Sequence, residues 1–243
     1  SALYACGIQM GDEVIVSPFS FSSSASCVLM ANAVPVFVDI DPQIFCITPQ
    51  AISQAITPRT KAILPVHLCG HPADMTGIMG LAEKFNLKVI EDTAQAIGAK
   101  YQDKYTGTIG DCGIFSFNQS KQISTGEWGM LITNNDTVAG IAREIRNHGE
   151  AAVGGRLGWN YRMTEMEAIL ALCQFKKLDK MLEWRRNLAD LLSFQLDNFE
   201  GITPPFVRSD CQHAYYTYAM RYSNPLMSRD EFQNRMVENG VYF

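Results

Sequence analysis

The sequence has no apolar run near the ~20 residues that a membrane-spanning helix needs. No basic-then-apolar leader opens it, so neither a membrane nor a secretory destination is expected. It also has no C-x-x-C pair. Its seven cysteines are an odd number, which suits neither a zinc ribbon nor a disulfide framework. They are residues 6, 27, 46, 69, 112, 173 and 211, and most of them sit in apolar stretches and read as small hydrophobes in a reducing cytoplasm. Histidine is scarce, at four residues. His67 and His71 have the i, i+4 spacing of a helical metal site, but Gly70 and Pro72 break any helix there, so no metal is expected. Basic charge is in deficit. Twenty bases against 25 acids leave a net charge of -5, which excludes a general nucleic-acid or anionic-membrane binder. There are no internal repeats, and no G-x-G-x-x-G follows an expected strand, which disfavours a dinucleotide-binding module.

What is present is an ordinary globular composition. The 243 residues are 47% hydrophobic and 19% charged, too apolar for disorder. Apolar runs alternate with amphipathic stretches. Strands are expected at Val14–Val16, Val34–Val38, Ala62–Val66 and Lys88–Ile90, with helices at Phe21–Asn32, from Thr48-Pro49, and at Thr76–Phe85. Thr48 reads as an N-cap with proline in the first turn. Strands apolar throughout and alternating with helices predict an α/β fold with a largely parallel sheet covered on both faces. Two more strands are expected at Cys112–Phe117 and Met130–Thr133, and a helix at about Asp136–Asn147. One long helix is expected from Met163 through Leu182, opened by the capping box Thr164-x-x-Glu167. Beyond it the texture changes. Tyr215–Tyr222 reads as an aromatic strand and Ser228–Glu238 as a capped helix. The chain divides into a large domain, 1–190, and part of a smaller one, 191–243.

Three strand ends carry candidate chemistry, because ligands of open α/β sheets sit beyond the carboxyl ends of the strands. Glu91-Asp92 closes one strand. A buried carboxylate needs a cation or several donors, so the pair is either a ligand site or a structural cap. Ser116 to Lys121 forms a polar turn after another strand. A lysine there is either an exposed loop residue or, once desolvated, a Schiff-base former. The Thr125-Gly126-Glu127-Trp128-Gly129 turn folds the chain back and sets that lysine at the crevice. Phe19 and Phe21 follow the first strand, as aromatics for core packing or for stacking on a planar ring.

Taken together, these segments resemble one family, the DegT/DnrJ/EryC1/StrS group of pyridoxal-phosphate enzymes. The resembling stretches are G-D-E-V-I-V-S-P-F-S-F (11–21), P-V-F-V-D-I-D (35–41) and T-K-A-I-L-P-V-H-L-C-G-H-P-A-D-M (60–75). They continue with V-I-E-D-T-A-Q-A-I-G-A (89–99), G-T-I-G-D-C-G-I-F-S-F (107–117), S-K-Q-I-S-T-G-E-W-G-M (120–130), R-N-H-G (146–149) and N-Y-R-M-T-E-M-E-A (160–168). They occur in family order over nearly the whole chain.

The resemblance implies the aspartate-aminotransferase (type I) fold, with pyridoxal 5'-phosphate as cofactor. It implies transamination of a keto sugar on a nucleotide carrier, with glutamate as amino donor. A cyclitol or other keto substrate and a non-catalytic regulatory member are the alternatives. A family dehydratase would carry histidine in place of Lys121. By position, Lys121 matches the cofactor-binding lysine that also moves the substrate proton. Asp92 matches the partner of the pyridine nitrogen, and Gln95 the neighbour of the ring hydroxyl. Phe21 matches the stacking aromatic and Ser116 a phosphate ligand. Asn160 matches an asparagine that reaches the partner subunit's cofactor, which implies a homodimer with the active site at its interface. His67, His148, Glu127, Arg162, Tyr215, Tyr216 and Arg221 carry no assigned role. Two departures stand out. Trp128 replaces the first of the family's paired glycines, which is expected to reshape the substrate mouth or the dimer contact. The family's Gly-Thr phosphate-binding turn would precede Ser1, and its small domain would run beyond the last residue, so the 243 residues alone are expected to have weak or no activity.

Overall fold

The computed structural model describes residues 1–150 and 155–242. Its centre is a six-stranded sheet built from β1 (Glu13–Val16), β2 (Val34–Phe37), β3 (Thr60–Leu64), β4 (Lys88–Asp92), β7 (Cys112–Ser116) and β8 (Gly129–Ile132). The spatial order is β2-β1-β3-β4-β7-β8, parallel except for β8, which pairs antiparallel with β7. The central strands are buried on both faces, as their unbroken Val/Ile/Leu runs predict: Val14, Ile15, Val16, Ala62 and Ile63 have no exposure. Edge strand β2 carries Pro35, which donates nothing to a ladder and is tolerated at an edge.

The helices form where the caps and periodicities place them. Between the strands lie α2 (Ser23–Met30), α3 (Pro49–Ala55) and α4 (Met75–Phe85), and α5 (Asp136–Arg146) follows β8. A four-residue α1 (Ala2–Ala5) packs against α5. The Thr48 side chain accepts from the Ala51 amide at 3.1 Å, Asp74 caps α4 through the Gly77 amide, and Asn135 caps α5. Asn86 ends α4 in the left-handed conformation that asparagine tolerates at that position.

Two expectations are corrected. The long helix from Met163 is two helices, α6 (Glu165–Phe175) and α7 (Leu178–Leu196), separated at Lys176-Lys177. The apolar period runs through the break, but only the second half buries its stripe. Leu178 and Leu182 of α7 join a second core with Ala96, Ile97, Phe117 and Ile123, while most apolar side chains of α6 are exposed. The capping box at Thr164 and Glu167 is present, and α7 runs unbroken through residue 190. The expected strand Tyr215–Tyr222 is reduced to Arg221–Tyr222 (β11), which pairs with Ile202–Thr203 (β9). Tyr215 has φ 48°, and the Ala214 and Thr217 amides bond to the Gly70 and Cys69 carbonyls, so the segment crosses a loop instead of extending. Three short strands, β5 (Lys100–Tyr101), β6 (Lys104–Tyr105) and β10 (Cys211–Gln212), form a side sheet. The last helix is α8 (Arg229–Glu238), capped by Ser228.

Candidate active site

Parallel pairing brings the chemistry to one end of the sheet. β4 ends at Asp92, which pairs with Ile114 of β7, and β7 ends two residues later at Ser116. β8 runs back from that same end, with Gly129 opposite Ser116, so the 117–128 loop stands over the strand ends. The serine-rich turn after β1 arrives there as well.

Strand geometry separates the two acids. Successive residues point to opposite faces of a sheet, so Glu91 and Asp92 face opposite ways. Glu91 is fully buried. Its carboxylate accepts from the amides of Gly107 at 2.7 Å, Ile109 at 2.6 Å and Gly110 at 2.7 Å, and from His67 Nε2 at 3.0 Å. The Ala73 amide donates to His67 Nδ1, so the ring proton lies on Nε2, toward the carboxylate. Burial pushes the Glu91 carboxyl up, but His67 and the amides outweigh it and hold the group below its ordinary value. Glu91 is therefore the structural acid of the pair. His67 and His71 turn to different partners, since His71 bonds through Nδ1 to the Pro72 carbonyl and through Nε2 to the Arg208 amide.

Asp92 lines a cavity of about 960 Å³ together with Ser23, Ser24, Phe115, Trp128 and Met163. It accepts from Ser24 Oγ at 3.2 Å and from the Ala94 amide at 3.0 Å. The Ser24 proton is spent on Asp92, so Ser24 accepts in turn from Ser20 at 2.8 Å. Burial raises the Asp92 carboxyl, and these two donors together with the charge of Lys121 only partly offset it. A buried carboxylate so placed has room and electrostatic demand for a cationic N–H donor.

Lys121 stands on the 117–128 loop with its Nζ 3.4 Å from the Tyr216 hydroxyl and 4.4 Å from the centroid of that ring. Gln95, three residues beyond Asp92, accepts from the Cys69 amide at 2.7 Å. Ser116 Oγ accepts from the Asn118 amide at 3.3 Å. Trp128 borders the cavity and holds φ 93°, a region that favours glycine and costs a bulky residue about 1–3 kcal/mol. Of the expected cofactor-binding residues Asp92 alone lines the cavity; Ser116 ends β7, Gln95 and Lys121 lie on the segments that follow β4 and β7, and two others stand further apart. Phe21 is 72% exposed on the turn into α2, and Asn160 is exposed beside Asn147, to which a β-bridge links it. The side chains of Thr93 and Gln122, next in sequence to Asp92 and Lys121, are buried with polar atoms that find no partner among the described residues. Sequence reasoning missed Ser24 and Ser20, which are lost in the run Ser20 to Ser24, and it missed the contact between Tyr216 and Lys121, which joins residues 95 apart.

The donor set fits a pyridoxal phosphate: a lysine amine, a buried carboxylate that lacks a cation, and hydroxyls at a strand end. Among the described residues, no group of three or more histidine, cysteine, aspartate or glutamate side chains could hold a metal ion, and no helix is long and apolar enough to cross a membrane.

The chain resembles known proteins over its whole length. The DegT/DnrJ/EryC1/StrS aminotransferase family model matches residues 1–243. A pleiotropic regulatory protein of Geobacillus stearothermophilus is 41% identical over 246 residues, covering 99% of this chain and 65% of the relative. A GDP-perosamine synthase of Caulobacter vibrioides is 40% identical over 236 residues, covering 95% and 64%. The chain thus spans less than two thirds of the length of these curated relatives. Among solved structures, an aminotransferase from Psychrobacter cryohalolentis superposes with a TM-score of 0.94 at 37% identity, covering 99% of this chain and 68% of that one.

Proposed function

The chain belongs to the DegT/DnrJ/EryC1/StrS aminotransferase family, and on that premise we propose that the protein transfers an amino group to a keto sugar carried by a nucleotide, with glutamate as donor. The family's aminotransferases use pyridoxal 5'-phosphate. The observation that carries the reading is the placement of Lys121, on the loop that follows β7, above the end of the neighbouring strand β4 that carries the buried carboxylate of Asp92.

In this proposal Lys121 Nζ holds the cofactor covalently, and Asp92 holds a proton on its pyridine nitrogen. Gln95 would face the ring hydroxyl, Ser116 would bind the phosphate, and the exposed Phe21 would cover the ring. Bound there, the cofactor supplies an electron sink for a carbanion at the substrate carbon. Lys121 is the base and acid that takes the proton from that carbon and returns it. Ser20 and Ser24 orient the Asp92 carboxylate through their hydroxyl chain. Phe115 and Trp128 give the cavity apolar walls that strengthen each charge interaction inside it. The exposed Asn160 suits a contact with a second subunit's cofactor in a homodimer. The free cysteines suit a reducing cytoplasm.

The test is titration of the full-length protein with pyridoxal phosphate, read by absorbance. A cofactor band that Lys121→Ala abolishes, and that glutamate converts, supports the proposal. Absence of the band, or its survival in Lys121→Ala, refutes it. Release of an amino sugar when keto-sugar nucleotides are added to the glutamate-treated protein then defines the acceptor. The similarity to a pleiotropic regulatory protein favours one second reading, a cofactor-binding regulator. It predicts the band without conversion by glutamate.

A further inference from the structure

Tyr216 lies in a segment whose sequence reads as ordinary strand packing, yet its ring covers the Lys121 amine. Backbone contacts seat it there. The Ala214 amide bonds to the Gly70 carbonyl at 2.9 Å and the Thr217 amide to the Cys69 carbonyl at 3.2 Å. A side chain at Gly70 would press on the backbone nitrogens of Tyr215 at 2.8 Å and Tyr216 at 3.0 Å, so only glycine allows the segment this close. The same loop fixes Gln95 through the Cys69 amide. The position of Tyr216 is thus tied to the strand end that carries Asp92.

The hydrogen bonds around Tyr216 have a defined direction. Asn118 donates through Nδ2 to Glu127 at 2.8 Å, and its Oδ1 accepts from the Ser120 amide at 3.0 Å. Ser120 Oγ donates to that same Oδ1 at 2.9 Å, which uses its only proton. At its 3.2 Å contact with Tyr216, Ser120 must therefore accept, and the phenol donates. The phenolic oxygen then presents its lone pairs to Lys121 Nζ at 3.4 Å. Such an oriented chain polarises its members in one sense.

We propose that Tyr216 is a positioning residue for Lys121: its ring and its oriented hydroxyl hold the lysine amine at the crevice. Ser120, Asn118 and Glu127 set the direction of that hydroxyl. The inference rests on Lys121 being the cofactor lysine, but the contact itself is testable without cofactor. It also assigns a role to Glu127 and to the turn that carries Trp128, since Glu127 closes the chain.

The test measures, by peptide mass spectrometry, the rate at which an amine-reactive acylating reagent labels Lys121 in cofactor-free protein. Tyr216→Phe keeps the ring and removes the hydroxyl, and Tyr216→Ala removes both. Labelling is expected to be about threefold faster in Tyr216→Phe and about tenfold faster in Tyr216→Ala. Ser120→Ala is expected to act like Tyr216→Phe. Tyr218→Phe, whose hydroxyl bonds to Ser193 instead, is expected to label at the wild-type rate. In cofactor-loaded protein, Tyr216→Phe is expected to lower kcat severalfold and leave KM for the donor unchanged. Because Tyr216→Phe conserves shape, it keeps the test valid even where Tyr216→Ala fails to fold. Equal labelling in wild type and Tyr216→Phe overturns the proposal. So does an equal acceleration in Tyr218→Phe. A wild type that forms no cofactor band refutes the aminotransferase reading, while the labelling contrast still decides the role of Tyr216.

Discussion

Acidification from pH 7 to pH 5 is expected to cost this fold about 4 kcal/mol through two histidines alone. His71 and His213 meet edge to face at 5.6 Å and are 2% and 4% exposed. Burial pushes the His71 imidazole down to about 4, with the nearby Arg208 guanidinium adding to it. Burial, reinforced by His71, pushes His213 down to about 3. Their hydrogen bonds suit the neutral form. His71 Nε2 accepts the Arg208 amide, and His213 Nδ1 accepts the Tyr215 amide at 2.7 Å. An unfolded histidine takes up its proton near pH 6.5, whereas these two resist until roughly pH 4 and 3. Between those limits the unfolded chain binds more protons, so stability falls as pH falls. The slope is about 1.4 kcal/mol per pH unit for each ring. The stability contribution is fully present above pH 6.5, and at pH 5 each ring has lost about 2 kcal/mol, out of a typical total of about 5–15. The carboxyls held low by their partners (Glu13, Glu91 and Asp210) lose stability only in the lower, carboxylate range. The raised Asp92 carboxyl acts in the opposite sense. Urea unfolding at pH 7, 6 and 5 measures the slope. His213→Asn keeps an acceptor for the Tyr215 amide but does not titrate, and should halve the loss to about 2 kcal/mol. A change below about 1 kcal/mol in wild type, or the same slope in His213→Asn, refutes the reasoning.

Three further outcomes follow from the site and its supports. Gly113→Ala would place a methyl against the backbone of Gly107; it should destabilise by about 3 kcal/mol or more, read from urea midpoints. Glu91→Gln leaves donors among the three amides and His67 short of an acceptor, and should cost about 3–5 kcal/mol at pH 7, again by urea midpoint. Ser24→Ala removes one donor from Asp92 and should weaken pyridoxal phosphate binding by roughly three- to tenfold, measured by absorbance titration, with the unfolding midpoint little changed.

The parallel core was legible because the central strands carry consecutive apolar residues (Val14–Val16, Ala62–Leu64, Val89-Ile90) between helical stretches, the pattern of a sheet covered on both faces. The caps at Thr48, Thr164 and Ser228 were legible because their bonds reach only three residues. Lys121 and Asp92 were legible as residues at or just beyond strand ends, and the roles proposed for them came with the family resemblance. From the residues alone the pair Glu91-Asp92 was left as either a ligand site or a structural cap; the role of Glu91 was not read because its partners, the Gly107, Ile109 and Gly110 amides, lie in a later loop. The strand runs through Asp92, and its period of two separates the two acids. Tyr216 was hidden for a different reason. Its place depends on a left-handed Tyr215 and on a close approach to Gly70, both properties of distant backbone. The break at Lys176-Lys177 was hidden because the apolar period continues across it, although α6 buries none of its side chains.

The alternation of Glu91 and Asp92 makes this strand intolerant of length changes. Deleting or inserting a single residue between Lys88 and Ile90 would turn each acid to the opposite face. Glu91 would enter the cavity with one extra methylene, and Asp92 would meet the amides of Gly107, Ile109 and Gly110 one methylene short. Substitutions along β4 can be graded in effect. A frame change there is all or none, because it dismantles the anchor of the sheet and the electrostatic centre of the crevice in one event.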